Sequence, residues 1–352
     1  MIKRIVKGIF VLLCFAVMLV FLAVAVFFAA KLLLDLKGGS NVSVMDNDSV
    51  TDASGESDSR LNVLVMGKDN TSGLCDMIML VSYDTSSNSA CVLQIPRDTY
   101  ASYTESSYKK INGAVNALGG EKEFCDFLSE ALCVKIDKYV TVNLDAVGEV
   151  VDIIGGVEVD IPFDMNYKDP SQGLSINLKK GKTVLDGEGA QQFVRYRSGY
   201  AEGDLGRMDA QKIFLAALVS KLKSAGSLLR VNEIFTAVSD DIKTDISMTD
   251  IVLLAADALC ISSDKVTFVT LAGQSAVASI SGASYYVVSR SAAIRIVNEL
   301  LGGNADEESF DRNRVFLNDR YESFSNIYYS DIEYKAYDAG SLLLGGIDIA
   351  HK

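Results

Sequence analysis

One long apolar segment lies near the start of the chain, and its pattern differs from everything that follows. Ile9 to Ala30 contains no charged residue. As a helix this segment would be about 33 Å long, which is enough to cross a hydrocarbon core of about 30 Å. Basic residues lie in the preceding MIKRIVKG, and such residues favour the cytoplasmic side of a membrane. The pattern therefore predicts a cytoplasmic N-terminus over residues 1–8 and a transmembrane anchor over residues 9–34, with the remainder outside the cell membrane.

A cleaved signal peptide is the alternative interpretation of this segment, because AVA at residues 23–25 resembles a signal-peptidase site. Apolar residues continue to Ala30 and resume at Leu32, so the pattern favours an uncleaved, single-pass anchor. Residues 35–60 are then rich in Gly, Ser, Asn and Asp. A segment of this composition cannot bury enough apolar surface to fold by itself, and we interpret it as a disordered linker.

Beyond residue 60, short apolar runs alternate with segments of helical periodicity. Runs such as LNVLVMG are rich in β-branched residues and bounded by turn-forming residues, as strands are. By contrast, Phe124, Phe127, Leu128 and Leu132 recur at a spacing that places them on one face of a helix. Both signals recur along the chain, which is the pattern of an α/β protein.

The predicted elements form one domain, which we place at residues 61–304. Strands are predicted at Leu61–Gly67, Ile78–Tyr83, Ala90–Pro96, Lys138–Asn143, Val157–Pro162, Lys265–Leu271 and Ser284–Val288. Helices are predicted at Glu121–Leu132, Asp145–Ile154, Asp186–Phe193, Arg207–Ser224, Ser227–Val238, Met248–Leu259 and Arg290–Leu301. The fold class is therefore α/β, with a mixed central β-sheet covered by helices. Residues 305–352 contain no recognisable motif and are treated as a C-terminal extension.

The composition excludes several classes of chemistry. The one histidine, His351, lies next to the last residue, so Ser-His-Asp and Cys-His mechanisms lack a base. Five of the 6 cysteines lie beyond the apolar segment, without CxxC spacing, which argues against a zinc site and against a complete disulfide framework. The formal net charge of -13, with about eight residues before the predicted anchor, argues against a nucleic-acid-binding module. Carboxylates, arginines and a metal ion remain as the candidate groups.

A basic cluster stands out against this acidic background. The stretch FVRYRSGYAEGDLGRMDAQ contains Arg195, Arg197 and Arg207 together with Asp204 and Gln211. Arginine binds phosphate in a planar, bidentate geometry and keeps its proton, so the cluster predicts an anion site. On an extended segment, Arg195 and Arg197 would share one face. A solvated loop whose arginines pair with nearby acids is the alternative.

Two carboxylates lie next to the ends of the first two predicted strands. Asp69 follows the first strand in GKDN, and Asp76 begins the second in LCDMIML. If the strands are neighbours, both carboxylates lie at one edge of the sheet, where they would suit Mg²⁺, which is usually held by one or two carboxylates plus substrate phosphates. The alternative is that Asp69 is a turn residue and Asp76 a polar residue at a strand end.

Further charged residues follow the third predicted strand, where LQIPRDTY contains Arg97 and Asp98. Lys110 comes shortly afterwards, in KKIN, at the start of a helical segment. By itself, the Arg97-Asp98 pair is equally well explained as a local ion pair, which contributes little at a surface.

Taken in order, these segments resemble the LytR-CpsA-Psr family of membrane-anchored, extracytoplasmic phosphotransferases. Besides the anchor, the matching pieces are GKDN, CDMIMLVSYD, LQIPRDTY, KINGA, KYVTVNLDAVGEVVDIIGGVEVDIPFDM, LKKGKTVLDGEGAQQFVRYR and GDLGRMDAQ. The resemblance implies an α/β core with a long apolar pocket for a polyprenyl tail. It also implies Mg²⁺-dependent transfer of a glycopolymer phosphate from an undecaprenyl pyrophosphate carrier to peptidoglycan or another cell-envelope acceptor.

The family pattern also implies roles for individual residues. Asp69 and Asp76 would be the Mg²⁺ ligands. Six side chains would line the pyrophosphate site: Arg97, Lys110, Arg195, Arg197, Arg207 and Gln211. Asp98 and Asp204 would orient these arginines, or one of them, with Asp98 preferred, would act as a base.

One departure from the family concerns the short loop before Asp76. Leu74 and Cys75 stand where the family commonly has an arginine, so one pyrophosphate contact is expected to be missing. Cys75 is interpreted as a small buried apolar residue.

Two other functions stay open. A hydrolase would use the same site with water as the acceptor, and would act as a polyprenyl pyrophosphate pyrophosphatase. A membrane-anchored lipid-binding or regulatory protein would have no catalytic activity. The single anchor and the lack of a disulfide framework are typical of a bacterial cell surface, and we expect a Gram-positive one.

Overall fold

The structure is a computed structural model in which 12 segments are described. They are residues 59–68, 73–103, 110–143, 146–169, 174–223, 230–247, 250–251, 254, 261–313, 316, 324–325 and 332–351. The predicted anchor, the predicted linker up to residue 58, Asp69 and most of the predicted helix Met248–Leu259 lie outside them. Within the described segments, no helix is both long enough and apolar enough to cross a membrane.

A mixed β-sheet forms the centre of the fold, as predicted. In chain order its strands are β1 (Arg60–Lys68), β2 (Cys75–Asp84), β3 (Ser89–Ile95), β4 (Lys138–Asn143), β9 (Ile242–Thr244), β10 (Val266–Thr270) and β14 (Ala336–Asp338). Their spatial order is β14-β10-β3-β2-β1-β4-β9. Antiparallel pairing joins β1 to β2 and β2 to β3, whereas β1 and β4, and β3 and β10, run parallel.

Smaller ribbons flank the central sheet, and the sequence pattern missed most of them. They comprise β5 (Val157–Ile161), β6 (Met165–Asp169), β7 (Leu174–Leu178), β8 (Gly181–Leu185), β11 (Gly273–Ala278), β12 (Ser284–Val288) and β13 (Phe324–Ser325). Only β5 and β12 were predicted among these. Strands such as β6, MNYKD, expose three consecutive residues, so they lack the apolar alternation that identifies a half-buried strand.

The described helices are α1 (Ala114–Leu118), α2 (Glu121–Leu132), α3 (Ala146–Ile153), α4 (Gly187–Arg195), α5 (Asp204–Leu222), α6 (Val231–Val238), α7 (Arg290–Leu300), α8 (Glu307–Asn313) and α9 (Ala339–Leu343). Six of them, α2 to α7, agree with predicted ones to within about four residues, whereas α1, α8 and α9 were not among the predicted helices. The helix predicted from Arg207 begins three residues earlier, at Asp204, because Gly203 takes a φ of 59° and turns the chain into the helix there.

The core occupies both faces of the sheet. In β1, Val63 and Val65 belong to one apolar cluster, which includes residues of α3, α4 and α5. Leu64 and Met66 belong to a second cluster on the opposite face, with residues of α2 and α7. The central strands are covered on both sides, and the charged side chains of β1, β2 and β4 lie at or next to the strand ends.

The end of the chain also joins this framework. β14 pairs antiparallel with β10, so that Tyr337 lies opposite Phe268. The extension thus supplies one of the two edge strands of the central sheet, while the domain boundary at residue 304 stays a prediction.

Candidate active site

The register of three central strands creates a charged edge. Gly67 pairs with Met77, and Ile78 pairs with Ile95, so the end of β1, the start of β2 and the end of β3 lie together. Asp76 and Arg97 therefore meet although they are 21 positions apart, and Arg97 Nη1 donates to Asp76 Oδ1 at 3.0 Å.

The turn after β3 holds a second carboxylate next to Arg97. Lys110 Nζ lies 3.0 Å from Asp98 Oδ1, and Arg97 Nε lies 4.0 Å from the same oxygen. The turn is fixed by backbone hydrogen bonds, since Thr99 N donates to Pro96 O at 2.9 Å and Tyr286 N donates to Asp98 O at 2.8 Å. The lysine and the arginine thus flank a carboxylate whose side chain is 29% exposed.

The connection between α4 and α5 supplies the other half of the site. Asp204, the first residue of α5, lies between two arginines: Arg197 Nη2 is 3.0 Å and Arg207 Nη2 is 2.8 Å from Asp204 Oδ1. The two arginines differ in environment, because the side chain of Arg207 is 4% exposed and that of Arg197 is 45% exposed. One arginine is therefore part of the protein interior, and the other faces solvent.

The two halves face one small pocket. Its lining includes Asp76 and Arg97 from the sheet edge, and Asp204, Arg207 and Gln211 from α5. Gln211 is 1% exposed, and its Nε2 donates to Val194 O at 3.2 Å, which links α5 to α4.

The pKa shifts show that the halves share one electrostatic environment. Burial alone would lower the pKa of Arg97, but Asp76, Asp204 and Asp98 raise it above its ordinary value. Burial would raise the pKa of Asp204, yet Arg207, Arg197 and Arg97 lower it. Each group is thus held in its charged form by the opposite charges around it.

Arg207 is the exception to this pattern. Burial lowers the pKa of Arg207 to about 10. The positive charges of Arg197 and Arg97 lower it as well, whereas Asp204 raises it. The guanidinium stays protonated at neutral pH, but its positive charge is stabilised poorly by its surroundings. An anion that bound here would relieve part of that cost.

Polar atoms in the pocket wall remain unsatisfied in the described part of the chain. Arg97 Nε and Gln94 Oε1 are buried and have no hydrogen-bond partner there. Buried polar groups are normally paired. A donor of this kind beside the pocket is suited to an anionic ligand oxygen. Gln94 is a member of the site that sequence reasoning missed, and its one signal is a polar residue in an otherwise apolar strand.

Most of the predicted site residues come together. The described contacts join Asp76, Arg97, Asp98 and Lys110 on the sheet side, and Arg197, Asp204, Arg207 and Gln211 on the helix side. Arg195 differs from expectation, because it is the last residue of helix α4 rather than a neighbour of Arg197 on an extended segment. Its role in the site stays a prediction, as does that of Asp69.

The donors at the sheet edge provide only part of the ligand shell that a divalent cation requires. The described segments contain no group of three or more His, Cys, Asp or Glu residues that could hold a metal. Asp76 offers a carboxylate that is 21% exposed, and Mg²⁺ requires only one or two carboxylates when waters and substrate phosphates complete its shell.

Cys75 takes no part in such a site. It is fully buried, its Sγ donates to Met77 O at 3.1 Å, and burial raises the pKa of its thiol far above the ordinary value. The interpretation as a buried apolar residue is confirmed.

Comparison with known proteins identifies the family. The model of the LytR_cpsA_psr family matches residues 34–301, and the chain belongs to this family. Bacillus subtilis TagV, named a polyisoprenyl-teichoic acid–peptidoglycan teichoic acid transferase, is 34% identical over 205 residues, which cover 57% of this chain and 52% of TagV. The match therefore spans about half the length of that relative. TagU of Oceanobacillus iheyensis, which has the same descriptive name, is 28% identical over 250 residues, covering 69% and 75% of the two chains.

Solved structures show the same likeness. The crystal structure of B. subtilis TagV has a TM-score of 0.58 at 29% identity and covers 72% of this chain and 97% of that one. A structure described as TagT bound to LI-WTA has a TM-score of 0.57 at 27% identity, covering 69% and 90%. The mixed α/β fold is thus the fold of this family.

We predict that Asp204→Asn destabilises the protein by about 3 kcal/mol, because it leaves the buried Arg207 without its nearest counter-charge. Since the pKa of Asp204 is lowered in the folded state, its contribution is present above the ordinary carboxyl pKa and is lost as pH falls below it. The variant should therefore show a weaker acid dependence of stability in urea denaturation at several pH values.

The matched control is Asp164→Asn, which removes the same charge from an exposed ion pair with Lys179. Such pairs contribute at most about 1 kcal/mol. Equal effects of the two substitutions would show that the Asp204 pairs are no more than surface contacts.

Proposed function

We propose that this chain is a phosphotransferase that moves a glycopolymer phosphate from an undecaprenyl pyrophosphate carrier to peptidoglycan or another cell-envelope acceptor. The observation that carries the proposal is a pocket at the sheet edge that Arg97 and Arg207 both line. Arg197 contacts Asp204, which lines the same pocket. The names of the relatives TagV and TagU support teichoic acid as the class of polymer.

The arginines suit displacement at phosphorus. Charge spreads over the phosphoryl oxygens during the transfer, and catalysis depends mainly on positioning and on electrostatic stabilisation. Each charge-assisted hydrogen bond contributes about 1.5–3 kcal/mol. In a half-buried pocket, fixed arginines stabilise this charge more strongly than water does.

We further propose that Asp76, together with Asp69, holds Mg²⁺ beside the pyrophosphate. When bound, the ion would neutralise charge on the phosphate oxygens. Asp76 also accepts a hydrogen bond from Arg97, so this carboxylate orients the arginine as well.

Asp98 is our candidate for the base that accepts the proton of the acceptor hydroxyl. Its side chain is 29% exposed and lies beside Lys110. Asp204 is less suited to this role. Its arginine neighbours lower its pKa by more than burial raises it, and two of them contact one of its oxygens.

The apolar segment at residues 9–34 supports a proposal for the location of the reaction. We propose that this segment anchors the protein in the cell membrane, with the N-terminus in the cytoplasm and the catalytic domain outside. The lipid-linked donor and the polymeric acceptor would then be on the same side of the membrane.

Transfer can be separated from hydrolysis with the full-length chain in detergent. We expect the chain to release polyprenyl phosphate from a lipid-linked glycopolymer in the presence of acceptor glycan, with the polymer recovered on the glycan. Release that proceeds equally well without acceptor, with no polymer on the glycan, would instead identify a pyrophosphatase. A chain that binds the lipid but releases nothing would be a lipid-binding protein.

The proposed metal site makes a separate prediction. Asp76→Asn keeps an oxygen that can accept from Arg97 but removes a charge, so the variant should lose most Mg²⁺-stimulated turnover. The measurement is the rate of transfer against Mg²⁺ concentration, with Asp164→Asn as the control. An unchanged Mg²⁺ response in Asp76→Asn would exclude this carboxylate as a ligand.

A further inference from the structure

The last described residues of the chain contact the turn that leads into the active site. Residues 347–351, here called the C-terminal segment, lie beyond residue 301, where the family match ends. Ala201 N donates to Ala350 O at 3.0 Å, and Tyr200 and His351 form an antiparallel bridge. The segment therefore adds backbone hydrogen bonding to a turn that belongs to the site.

The C-terminal segment is itself fixed to the core. Ile347 and Ile349 are each 8% exposed and belong to the same apolar cluster as α5. Upstream, β14 pairs with β10, and α9 follows it directly, capped by Asp338, which accepts from Ser341 N at 2.8 Å. The segment can therefore restrain what it touches, because its own position is set by the central sheet.

Aromatic packing strengthens the contact. The ring centroids of His351 and Phe163 are 4.3 Å apart, and those of Phe163 and Tyr200 are 5.5 Å apart. Tyr200 is fully buried and packs on the first turn of α5, where a Cβ on Gly206 would lie 2.7 Å from the Cβ of Tyr200. Contacts thus run without a break from His351 to the helix that carries Arg207.

The turn held in this way determines the spacing of the arginines. Gly203 N donates to Tyr200 O at 3.1 Å, and Gly203 combines a φ of 59° with a ψ of -115°, a conformation that glycine adopts far more readily than other residues. The next residue is Asp204, whose Oδ1 contacts Arg197 before the turn and Arg207 after it. A shift of the turn would therefore change the distance between the two guanidinium groups.

We propose that the C-terminal segment is a positioning element of the anion site, in which His351 and Ala350 hold the Tyr200–Gly203 turn and so set the Arg197–Asp204–Arg207 geometry. None of residues 347–351 lines the pocket, so the segment acts through the turn. The proposal rests on the proposed function in taking the anion to be a pyrophosphate.

The test uses the full-length chain in detergent, with inorganic pyrophosphate and Mg²⁺ as the probe. His351→Ala should raise deuterium uptake selectively in amides of residues 196–208 and weaken pyrophosphate binding about tenfold, since small displacements of binding groups cost large factors. His351→Phe keeps a ring on Phe163 and should restore both values. Leu344→Ala changes a side chain of the neighbouring stretch that is 90% exposed, and should alter neither.

Truncation after Gly346 removes the whole C-terminal segment and is therefore a larger change than the His351→Ala substitution. Unaltered uptake at residues 196–208 in both His351→Ala and the shortened chain would overturn the proposal. So would raised uptake with unchanged affinity, or uptake raised throughout the domain, which would indicate a general loss of stability. If the wild-type chain bound no pyrophosphate, the proposed function would fail, and the uptake measurement would still decide whether the segment restrains the turn.

Discussion

The ion pairs of Asp204 are the interaction on which the site depends. A single oxygen of this carboxylate contacts a fully buried arginine, Arg207, and a half-exposed one, Arg197. Burying Arg207 without a counter-charge would cost several kcal/mol, so the carboxylate has to stay where it is. Its position in turn fixes Arg197 at the protein surface, where a phosphate can reach it. One buried charge therefore sets the geometry of an exposed binding group.

Two parts of the fold hold the charged groups of the site in place. The central sheet is covered on both faces, and its register brings Asp76 and Arg97 to the edge that α5 approaches. In addition, the turn before α5 is restrained by Tyr200 and, through His351, by the end of the chain. The pKa of Arg97 responds to Asp76, Asp98 and Asp204 alike, which shows that the sheet and the helix contribute to one site. The chemistry that we propose needs no histidine, because it relies on arginines and on an ion held by carboxylates for charge stabilisation.

Much of the fold was predictable because it follows apolar periodicity. Helix α2 and strand β4 have the bounds that the pattern predicted, since both bury a clear stripe or alternation. Strand β6 was missed because its residues are mostly exposed, and the strand β14 was missed because three residues carry too little pattern.

Of the site, the charged residues were identified by type and by the family resemblance. Their pairing was not, because contacts such as Arg97 with Asp76 depend on strand register, and the contact of His351 with Phe163 joins distant parts of the chain. Gln94 gave almost no signal at all.

The most direct test of the central claim is binding of a polyprenyl pyrophosphate to the full-length chain, with and without Mg²⁺. The comparison is with an Arg97→Lys, Arg197→Lys double variant, which keeps the charge but loses the bidentate geometry. Arg295→Lys is the matched control, because Arg295 lies on helix α7, donates to Ile332 O and does not line the pocket. The account predicts Mg²⁺-dependent binding by the wild type and the control, and binding weaker by at least about tenfold in the double variant, because each charge-assisted contact contributes about 1.5–3 kcal/mol. Equal binding by all three proteins, or no binding by the wild type, would contradict it and would mean that the arginine cluster stabilises the fold without binding phosphate.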